Sequence, residues 1–286
     1  MGLVARLKAY WQMTKSLQTA LLLLTGIAGY FSAHPGMYGP LYEIFMLVAT
    51  LYLSIAGSTV LNMWYDRDID ARMNRTCWRP LPSGRVSPRE ALVVGLVMVV
   101  VGVVWALSVA PLYGSVILAG AFFDVVVYTI WLKRRTPWSI LWGGISGAMP
   151  VLAGRVLGVG EIDLIGVLLA LAVLFWIPTH IVTFAMRYDE DYRAAGVPTI
   201  PQAYGFRFAY FTIAVSAVLA SLAMVSAALL IGVRSGALQA LLVLSVGLLV
   251  LALSSAFRPS ERLNFMLFKY ASLYMLGGML LIAWGA

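Results

Sequence analysis

The feature that most constrains this chain is a succession of nine long apolar segments, which run from near the N-terminus to the last residues. A helix needs about 20 mostly apolar residues to cross roughly 30 Å of membrane hydrocarbon, and each segment is close to or above that length. The segments are residues 16–33, 41–64, 91–110, 112–132, 138–157, 163–186, 207–231, 237–256 and 265–285. We therefore predict an all-α bundle of nine transmembrane helices, formed by one domain over residues 1–286.

Composition excludes most other kinds of protein. Apolar residues make up 62% of the 286 positions and charged residues 11%, whereas a soluble domain carries about 25% charged residues. So few charges also exclude disordered, collagen-like and nucleic-acid-binding proteins. The single cysteine, Cys77, excludes an intramolecular disulfide and a cysteine metal cluster. No small-residue cleavage site follows the first apolar segment, so we expect that segment to remain as a span.

Basic residues are concentrated on one side of the predicted bundle. If nine spans alternate, 18 of the 20 Lys and Arg residues fall on the side of the N-terminus, and only Arg155 and Arg234 fall on the other. Positive charge accumulates on the cytoplasmic side of membrane proteins. We therefore predict a multi-pass protein of the cell membrane with its N-terminus in the cytoplasm and its C-terminus outside.

Acidic residues form two clusters on the same predicted cytoplasmic side, at the ends of the second and sixth spans. In the first cluster, Asn62, Asp66 and Asp70 follow one another at intervals of four, so they share one face of a helix. Such oxygen ligands at a membrane boundary suit Mg²⁺, which prefers carboxylates, waters and phosphate oxygens. The alternative is a solvated loop whose acids form ion pairs within the helix. Because the three side chains share one stripe, we favour the metal site.

Cations accompany the first cluster. Four arginines follow it directly, and a further basic group follows the fourth span. These residues are Arg67, Arg72, Arg75, Arg79, Lys133, Arg134 and Arg135. Guanidinium groups bind phosphate oxygens through paired hydrogen bonds. Acids beside such cations indicate a diphosphate held through a metal, with an ordinary positive-inside anchor as the alternative for the group at Lys133.

The second cluster repeats the first pattern 125 residues later, from Asp66 to Asp191. It consists of Arg187, Asp189, Glu190, Asp191 and Arg193. The alternative is ordinary polarity at a membrane boundary. Together the clusters predict two similar halves of the domain, each with acids at its cytoplasmic face. Two such helix ends facing each other would hold two Mg²⁺ ions around one diphosphate.

Two polar side chains lie inside predicted spans. A carboxylate in mid-membrane costs about 2.5–3.5 kcal/mol, so we expect Asp124 to face the bundle interior, with Tyr128 as its candidate partner. His180 lies in the sixth span, one helical turn after Trp176 and roughly 10 Å deeper than the second cluster. For His180 the alternatives are a contact with a substrate and a packed side chain bonded to a backbone carbonyl.

Three blocks of the sequence resemble the UbiA superfamily of membrane prenyltransferases. Residues 62–84 fit N-x-x-x-D-x-D-I-D-x-x-M-x-R-T-x-x-R-P-L-x-x-G, and residues 128–150 fit Y-x-x-x-L-K-R-x-T with a glycine-rich continuation. Residues 176–198 fit W-x-x-x-H followed by D-Y-x-x-A-x-x-P. The three blocks are similar to those of the superfamily branch that transfers a farnesyl group to heme. The second motif of the broader superfamily, D-x-x-x-D, is absent after the sixth span, where Asp189, Glu190 and Asp191 stand in its place.

The resemblance implies a helical bundle whose site opens to the cytoplasm, and it implies an activity. Farnesyl diphosphate would ionise with Mg²⁺, its cation would attack a vinyl group of heme B, and water would capture the new cation; a link to terminal oxidase assembly is also implied. The candidate catalytic residues are Asn62, Asp66, Asp70 and Asp191, which with Asp189 are also the candidate metal ligands. The candidate diphosphate ligands are Arg67, Arg75, Arg79, Lys133 and Arg134. The candidate heme contacts are Tyr128, Trp176, His180 and Arg187.

Two alternative functions stay open. One is prenyl transfer to an aromatic quinone precursor or a glyceryl phosphate lipid, for which the pair Trp176 and His180 would not be needed. The other is a secondary transporter. Transporters hold their acids near the membrane midplane, whereas both clusters here lie at the predicted cytoplasmic boundary.

Overall fold

The protein is described by a computed structural model over residues 2–34 and 40–286, and the regular secondary structure of these residues is helical throughout. The helices are α1 (Leu3–Met13), α2 (Ser16–Phe31), α3 (Leu41–Tyr65), α4 (Arg67–Asp70), α5 (Pro88–Val109), α6 (Pro111–Phe122), α7 (Ser139–Val159), α8 (Leu164–Arg187), α9 (Asp189–Ala195), α10 (Ile200–Ile231), α11 (Ser235–Phe257) and α12 (Glu261–Gly285). The α6 helix continues directly into a π-helix, Phe123–Leu132. The predicted all-α class is confirmed.

Eight elements of the described chain are long and apolar enough to cross a membrane: α3, α5, α6 with its π-helix, α7, α8, α10, α11 and α12. They coincide with eight of the nine predicted spans, so the chain is a multi-pass membrane protein. The remaining predicted span, 16–33, falls on α2, whose 16 residues extend over about 24 Å, less than the hydrocarbon thickness. The nine-span count and the orientation of the termini stay predictions.

The outer surface of the bundle is apolar, as contact with lipid requires. On α5, Val93, Val97, Val100 and Val104 are each more than half exposed. Their spacing of three and four residues places them on one face of the helix. Exposed apolar patches of this kind mark a surface that another apolar phase covers, and for a membrane protein that phase is lipid.

The contact between α2 and α7 is close and depends on glycine. A Cβ atom at Gly154 would overlap the Gly26 carbonyl oxygen, and one at Gly29 would overlap the Val151 carbonyl oxygen. Only small residues let two helix backbones approach this closely. The contact lies between two hydrophobic clusters, one mainly on α3, α5, α6 and α7 and the other mainly on α8 and α10–α12. The two similar halves stay a prediction.

The far end of the bundle, opposite the acidic clusters, is held by a buried ion pair. Arg155, which is predicted to lie on the outer side, binds Asp163 at 2.7 Å and donates to the Ser32 carbonyl oxygen. Asp163 also accepts a hydrogen bond from the Gly166 N–H at 2.8 Å and so caps α8. This network ties α2, α7 and α8 together away from the site.

The tenth helix begins earlier than the sequence indicates. The predicted span 207–231 is the second part of α10, which starts at Ile200 and is broken at Gly205, where φ is 82° and ψ is 163°. Glycine adopts this backbone conformation readily because it has no Cβ atom. Before the break, the Gln202 amide donates to the Asp189 carbonyl oxygen at 3.1 Å, so the first turns of α10 lie beside α9.

The short helix α1 is amphipathic and leads into the site. Ala9 and Met13 are fully buried against the bundle, whereas Leu7 and Trp11 are exposed. A helix with an exposed apolar face and nearby basic residues suits the membrane interface. The chain then turns sharply at Lys15, whose φ is 44°, before α2 begins.

Candidate active site

The end of α3 positions the first cluster. The Asp66 N–H donates to the Asn62 carbonyl oxygen at 2.9 Å, and the Asp70 N–H donates to the Asp66 carbonyl oxygen at 2.8 Å. The helical spacing thus continues from α3 into α4, and the three side chains share one face. All three are buried. Buried carboxylates need positive charge beside them, from side chains or from a metal.

Each carboxylate of the first cluster has a cationic partner from another segment. Lys133 donates to Asp66, and Arg134 lies 3.7 Å from the other oxygen of Asp66. Arg79 donates to both oxygens of Asp70, at 3.0 and 2.8 Å. The loop after α4 and the end of the π-helix therefore converge on α3. Three cations predicted to bind a diphosphate are brought together here.

A further cation reaches the first cluster from the N-terminal segment and is not among the predicted site residues. The Lys15 ammonium group lies 3.5 Å from the side-chain oxygen of Asn62. Burial, with smaller contributions from Arg79 and Lys133, lowers the pKa of Lys15 to about 8. In the sequence, Lys15 is indistinguishable from the other basic residues that precede the first span.

The π-helix turns a polar face toward α3. Its backbone bonds join residues five apart, as in the bond from the Lys133 N–H to the Tyr128 carbonyl oxygen at 2.8 Å. The Asn62 amide donates to the Thr129 hydroxyl at 2.9 Å, and that hydroxyl donates to the Asp124 carbonyl oxygen at 2.7 Å. Thr129 is a contact that sequence reasoning missed, because nothing marks one hydroxyl among many. The expected pair is wrong: within the described residues, Asp124 and Tyr128 share no hydrogen bond.

The second cluster is connected to the first through the loop after α4. Asp191 in α9 accepts hydrogen bonds from the N–H groups of Asn74 at 3.2 Å and Arg75 at 3.4 Å. Asp189, at the start of α9, pairs with Arg193 at 2.9 Å. Asp191 thus orients the arginine loop, residues 71–87 between α4 and α5. Asp189 lies two residues before Asp191 in the same helix.

Arg75 lies among three aromatic rings at the end of α8 and in α9. Its guanidinium carbon is 5.0 Å from the ring centre of Phe184, 5.7 Å from that of Tyr188 and 5.1 Å from that of Tyr192. Each such cation–π contact contributes about 0.5–2 kcal/mol. The Nε of Arg75 is buried without a hydrogen-bond partner among the described residues. The rings therefore hold the loop in place, and the Nε of Arg75 lies 3.9 Å from Asp191 Oδ2, an ion pair without a hydrogen bond.

Two predicted site residues, Arg67 and Arg187, form no ion pair with the acids of either cluster among the described residues. Arg67 donates to the Trp64 carbonyl oxygen at 2.6 Å and lies over the Trp64 ring. Arg187 lies over the Phe265 ring, with its guanidinium carbon 4.1 Å from the ring centre. Both arginines are exposed. Long side chains at a helix end turn toward whichever surface is nearby, which residue spacing does not determine.

His180 lies in an aromatic slot between α8 and α12. Its ring stacks on Trp176 and Phe268, with ring centres 4.9 and 4.4 Å away, and its Nδ1 is 3.3 Å from the Ser272 hydroxyl. Trp176 and His180 thus share a face, as the one-turn spacing predicts. The partner of His180 is a hydroxyl group rather than a backbone carbonyl. Engagement of Nδ1 leaves Nε2 for a ligand.

Carboxylate oxygens without hydrogen bonds show where a metal fits. Asp66 Oδ1 and Asp189 Oδ1 are buried and accept no hydrogen bond from the described residues. Such atoms suit a divalent cation, and one occurs in each cluster. In the same described ranges, no three His, Cys, Asp or Glu side chains converge into a complete metal site. A Mg²⁺ ion here would therefore share its coordination with an anionic ligand such as a phosphate.

The fold and the site define a multi-pass membrane protein that can hold an anion between helix ends. Residues 22–276 match the UbiA prenyltransferase family, and the chain belongs to that family. A protoheme IX farnesyltransferase of Archaeoglobus fulgidus is 43% identical over 208 residues, 73% of each chain. One of Aeropyrum pernix is 37% identical over 271 residues, which cover 94% of this chain and 88% of the relative.

Solved structures share the fold. A structure described as digeranylgeranylglyceryl phosphate synthase gives a TM-score of 0.82 at 20% identity, over 98% of both chains. A UbiA homologue from Archaeoglobus fulgidus bound to GPP and Mg²⁺ gives 0.65 at 16% identity, over 96% of this chain and 99% of its own. At these identities the likeness concerns the fold alone. Membership of the family makes the protein a prenyltransferase and removes the transporter alternative.

Proposed function

We propose that this prenyltransferase transfers the farnesyl group of farnesyl diphosphate to a vinyl group of heme B and forms heme O, as a heme O synthase. The observation that carries the proposal is its identity of 37–46% with relatives named protoheme IX farnesyltransferase. The convergence of buried acids and cations supports it, because a prenyl diphosphate needs both a metal and positive side chains.

Mg²⁺ is the proposed cofactor. Asn62, Asp66 and Asp70 would hold it in the first cluster, and Asp189 and Asp191 would do so in the second, where unsatisfied carboxylate oxygens lie. When bound, the metal neutralises charge that develops on the departing diphosphate. Solved UbiA homologues bound to GPP or DMAPP together with Mg²⁺ support this choice.

The cations of the site are proposed to bind the diphosphate oxygens. Lys133, Arg79 and Lys15 are already oriented by neighbouring side chains, so they need little rearrangement when the substrate arrives. Preorganised charge stabilises the negative charge that develops on a leaving group. The Nε atoms of Arg75 and Arg134 are buried without a hydrogen-bond partner in the described residues, that of Arg75 lying 3.9 Å from Asp191, and both would add further N–H donors.

The heme is proposed to lie against the aromatic slot between α8 and α12. His180 and Trp176 would contact the porphyrin, and the exposed Arg187 would bind a carboxylate at the helix end. Tyr128 lies beneath Lys133, 5.5 Å from Nζ to the ring centre, and would separate the diphosphate from the interior. A cell-membrane location with the site facing the cytoplasm belongs to the same proposal. The link to terminal oxidase assembly stays a prediction.

Incubation of the purified protein with heme B, farnesyl diphosphate and Mg²⁺, followed by mass analysis, tests this function. We expect a product heavier than heme B by one farnesyl group and one hydroxyl group, and no product when Mg²⁺ is removed. Parallel reactions contain an aromatic quinone precursor or a glyceryl phosphate lipid in place of heme. Prenylation of either one without any reaction of heme would contradict the proposal.

A further inference from the structure

Asp124 is the one acid among the described residues whose carboxylate is neither exposed nor engaged in a hydrogen bond or ion pair. It lies in the membrane-spanning unit formed by α6 and the π-helix, where an unpaired carboxylate is costly. The other acids are exposed at helix ends or are paired with Lys, Arg or Tyr side chains.

The π-helix directs Asp124 toward the site and away from lipid. Phe122, Val126 and Ile130 are exposed on the outer face, by 50%, 42% and 43% of their surface. In a π-helix, residues five apart share a face, so Asp124 and Thr129 lie together on the inner side. π-helical turns are frequently found at functional sites.

Asp124 lies nine residues before Lys133, about two turns deeper along the π-helix, and faces the site cations. Burial is the largest influence on its carboxylate and disfavours the charge, which the ammonium groups of Lys15 and Lys133 favour and Asp66 opposes. Thr129, whose hydroxyl also binds the first cluster, donates to the Asp124 backbone carbonyl and fixes this depth. The Asp124 side chain is only partly buried. A water molecule therefore has room beside an acceptor that no protein donor occupies.

We propose that Asp124 accepts the proton of the water that completes the reaction, an inference that rests on the proposed function. The farnesyl C1–O bond breaks and its electron pair leaves with the diphosphate. The vinyl π electrons form a bond from the terminal vinyl carbon to C1, which leaves a cation on the inner vinyl carbon. A lone pair of water forms the new C–O bond, and the released proton passes to the Asp124 carboxylate.

The diphosphate is the competing proton acceptor, and the arrangement of charges disfavours it. Its oxygens would be engaged by Lys133, Arg79 and Lys15 at the helix ends, whereas Asp124 has no donor and lies deeper. A general base with a free lone pair contributes typically about 100-fold or more to a rate. Asp124 therefore matters for water addition more than for ionisation of farnesyl diphosphate.

Asp124→Asn and Asp124→Glu in the full-length protein test this role, with Glu161→Gln as a matched control because Glu161 is exposed far from the site. Farnesyl diphosphate affinity, diphosphate release and the masses of the heme products are measured for each. We expect Asp124→Asn to bind farnesyl diphosphate normally and to form hydroxylated product about 100-fold more slowly. A product lighter by one water should accumulate. Asp124→Glu should restore hydroxylated product, and the control should match the wild type.

Two results would overturn the role of Asp124. Unchanged rate and product mass in Asp124→Asn would show that another group takes the proton. Loss of farnesyl diphosphate affinity in Asp124→Asn would make Asp124 part of the diphosphate site instead. The product that the wild type forms tests the proposed function. The rate of hydroxylated product in the variant, relative to the wild type, tests the role of Asp124. Size-exclusion profiles confirm that each variant is folded, and the Glu variant provides the comparison if the Asn variant is unstable.

Discussion

At the residue scale, the acids and cations of the site stabilise each other before any substrate binds. Asp66 and Asp70 are 1% and 4% exposed, and each is paired with a cation from a different loop. Removing one member of a buried pair leaves an uncompensated charge and costs about 3–5 kcal/mol. The same contacts therefore hold the loops in place and keep the cations ready for an anion.

Asp66→Asn should reduce turnover at saturating Mg²⁺ by about 100-fold or more, because it removes an anionic oxygen proposed to ligate the metal. The amide keeps the shape of the side chain and an oxygen that accepts from Lys133, so the protein should still fold. Glu261→Gln is the control, since Glu261 is exposed at the start of α12 and forms no ion pair among the described residues. Product formation is measured by mass analysis. Normal turnover in Asp66→Asn would remove Asp66 from the metal site.

Lys15→Ala should raise the KM for farnesyl diphosphate by about 10- to 100-fold, the range for loss of one charge-assisted hydrogen bond, with a smaller effect on kcat. Lys15 reaches Asn62 from the sharp turn between α1 and α2. Its removal should therefore take one cation from the proposed diphosphate site and leave the other site contacts in place. Lys8→Ala provides the control, because Lys8 is exposed on α1. Equal KM values for the two variants would show that Lys15 serves the fold alone.

At the scale of elements, apolar length predicts where helices occur but not how they are distorted. The break at Gly205 and the π-helix within 123–132 carry no distinctive sequence signal, because Gly205 is one of 26 glycines and no motif in 123–132 marks a π-helix. The four-residue spacing of Asn62, Asp66 and Asp70 is local, so the sequence predicts their shared face.

Contacts between distant elements could not be predicted in the same way. Lys15 and Thr129 join the site only because α1, α3 and the π-helix pack together. Arg67 follows the motif yet turns back onto Trp64, a choice set by the nearest available surface. Sequence reasoning therefore finds the acids, which share a helix, more reliably than the cations that approach them.

The crossing of α2 and α7 gives a test at this scale. Gly154→Ala should lower the Tm in detergent by an amount that corresponds to about 1–3 kcal/mol, because the new methyl group would overlap the Gly26 carbonyl oxygen. Gly236→Ala is the control, since a methyl group there meets nothing within 4 Å. Equal Tm values for both variants would mean that the two helices separate without cost.

At the scale of the whole molecule, the two ends of the bundle differ in chemistry. One end carries both acidic clusters and the arginine loop between α4 and α5. The other carries the buried pair of Arg155 and Asp163 together with Arg234. Because cytoplasmic loops are enriched in Lys and Arg, this difference favours placing the site on the cytoplasmic side. Single cysteines placed at each end of the bundle can measure this orientation.

Cysteine labelling should find Cys77 accessible from the cytoplasm, since it is exposed in the arginine loop. In a Cys77→Ser background, a cysteine introduced at Glu161, in the exposed turn between α7 and α8, should react only with a membrane-impermeant reagent added from outside. Cysteines at 258–264 should behave like Cys77, and those at 232–236 like the one at 161. Each site is compared in intact and opened cells, so that an unreactive site is distinguished from a protected one. Labelling of positions 77 and 161 from the same side would break the nine-span topology, because an odd number of crossings must separate them.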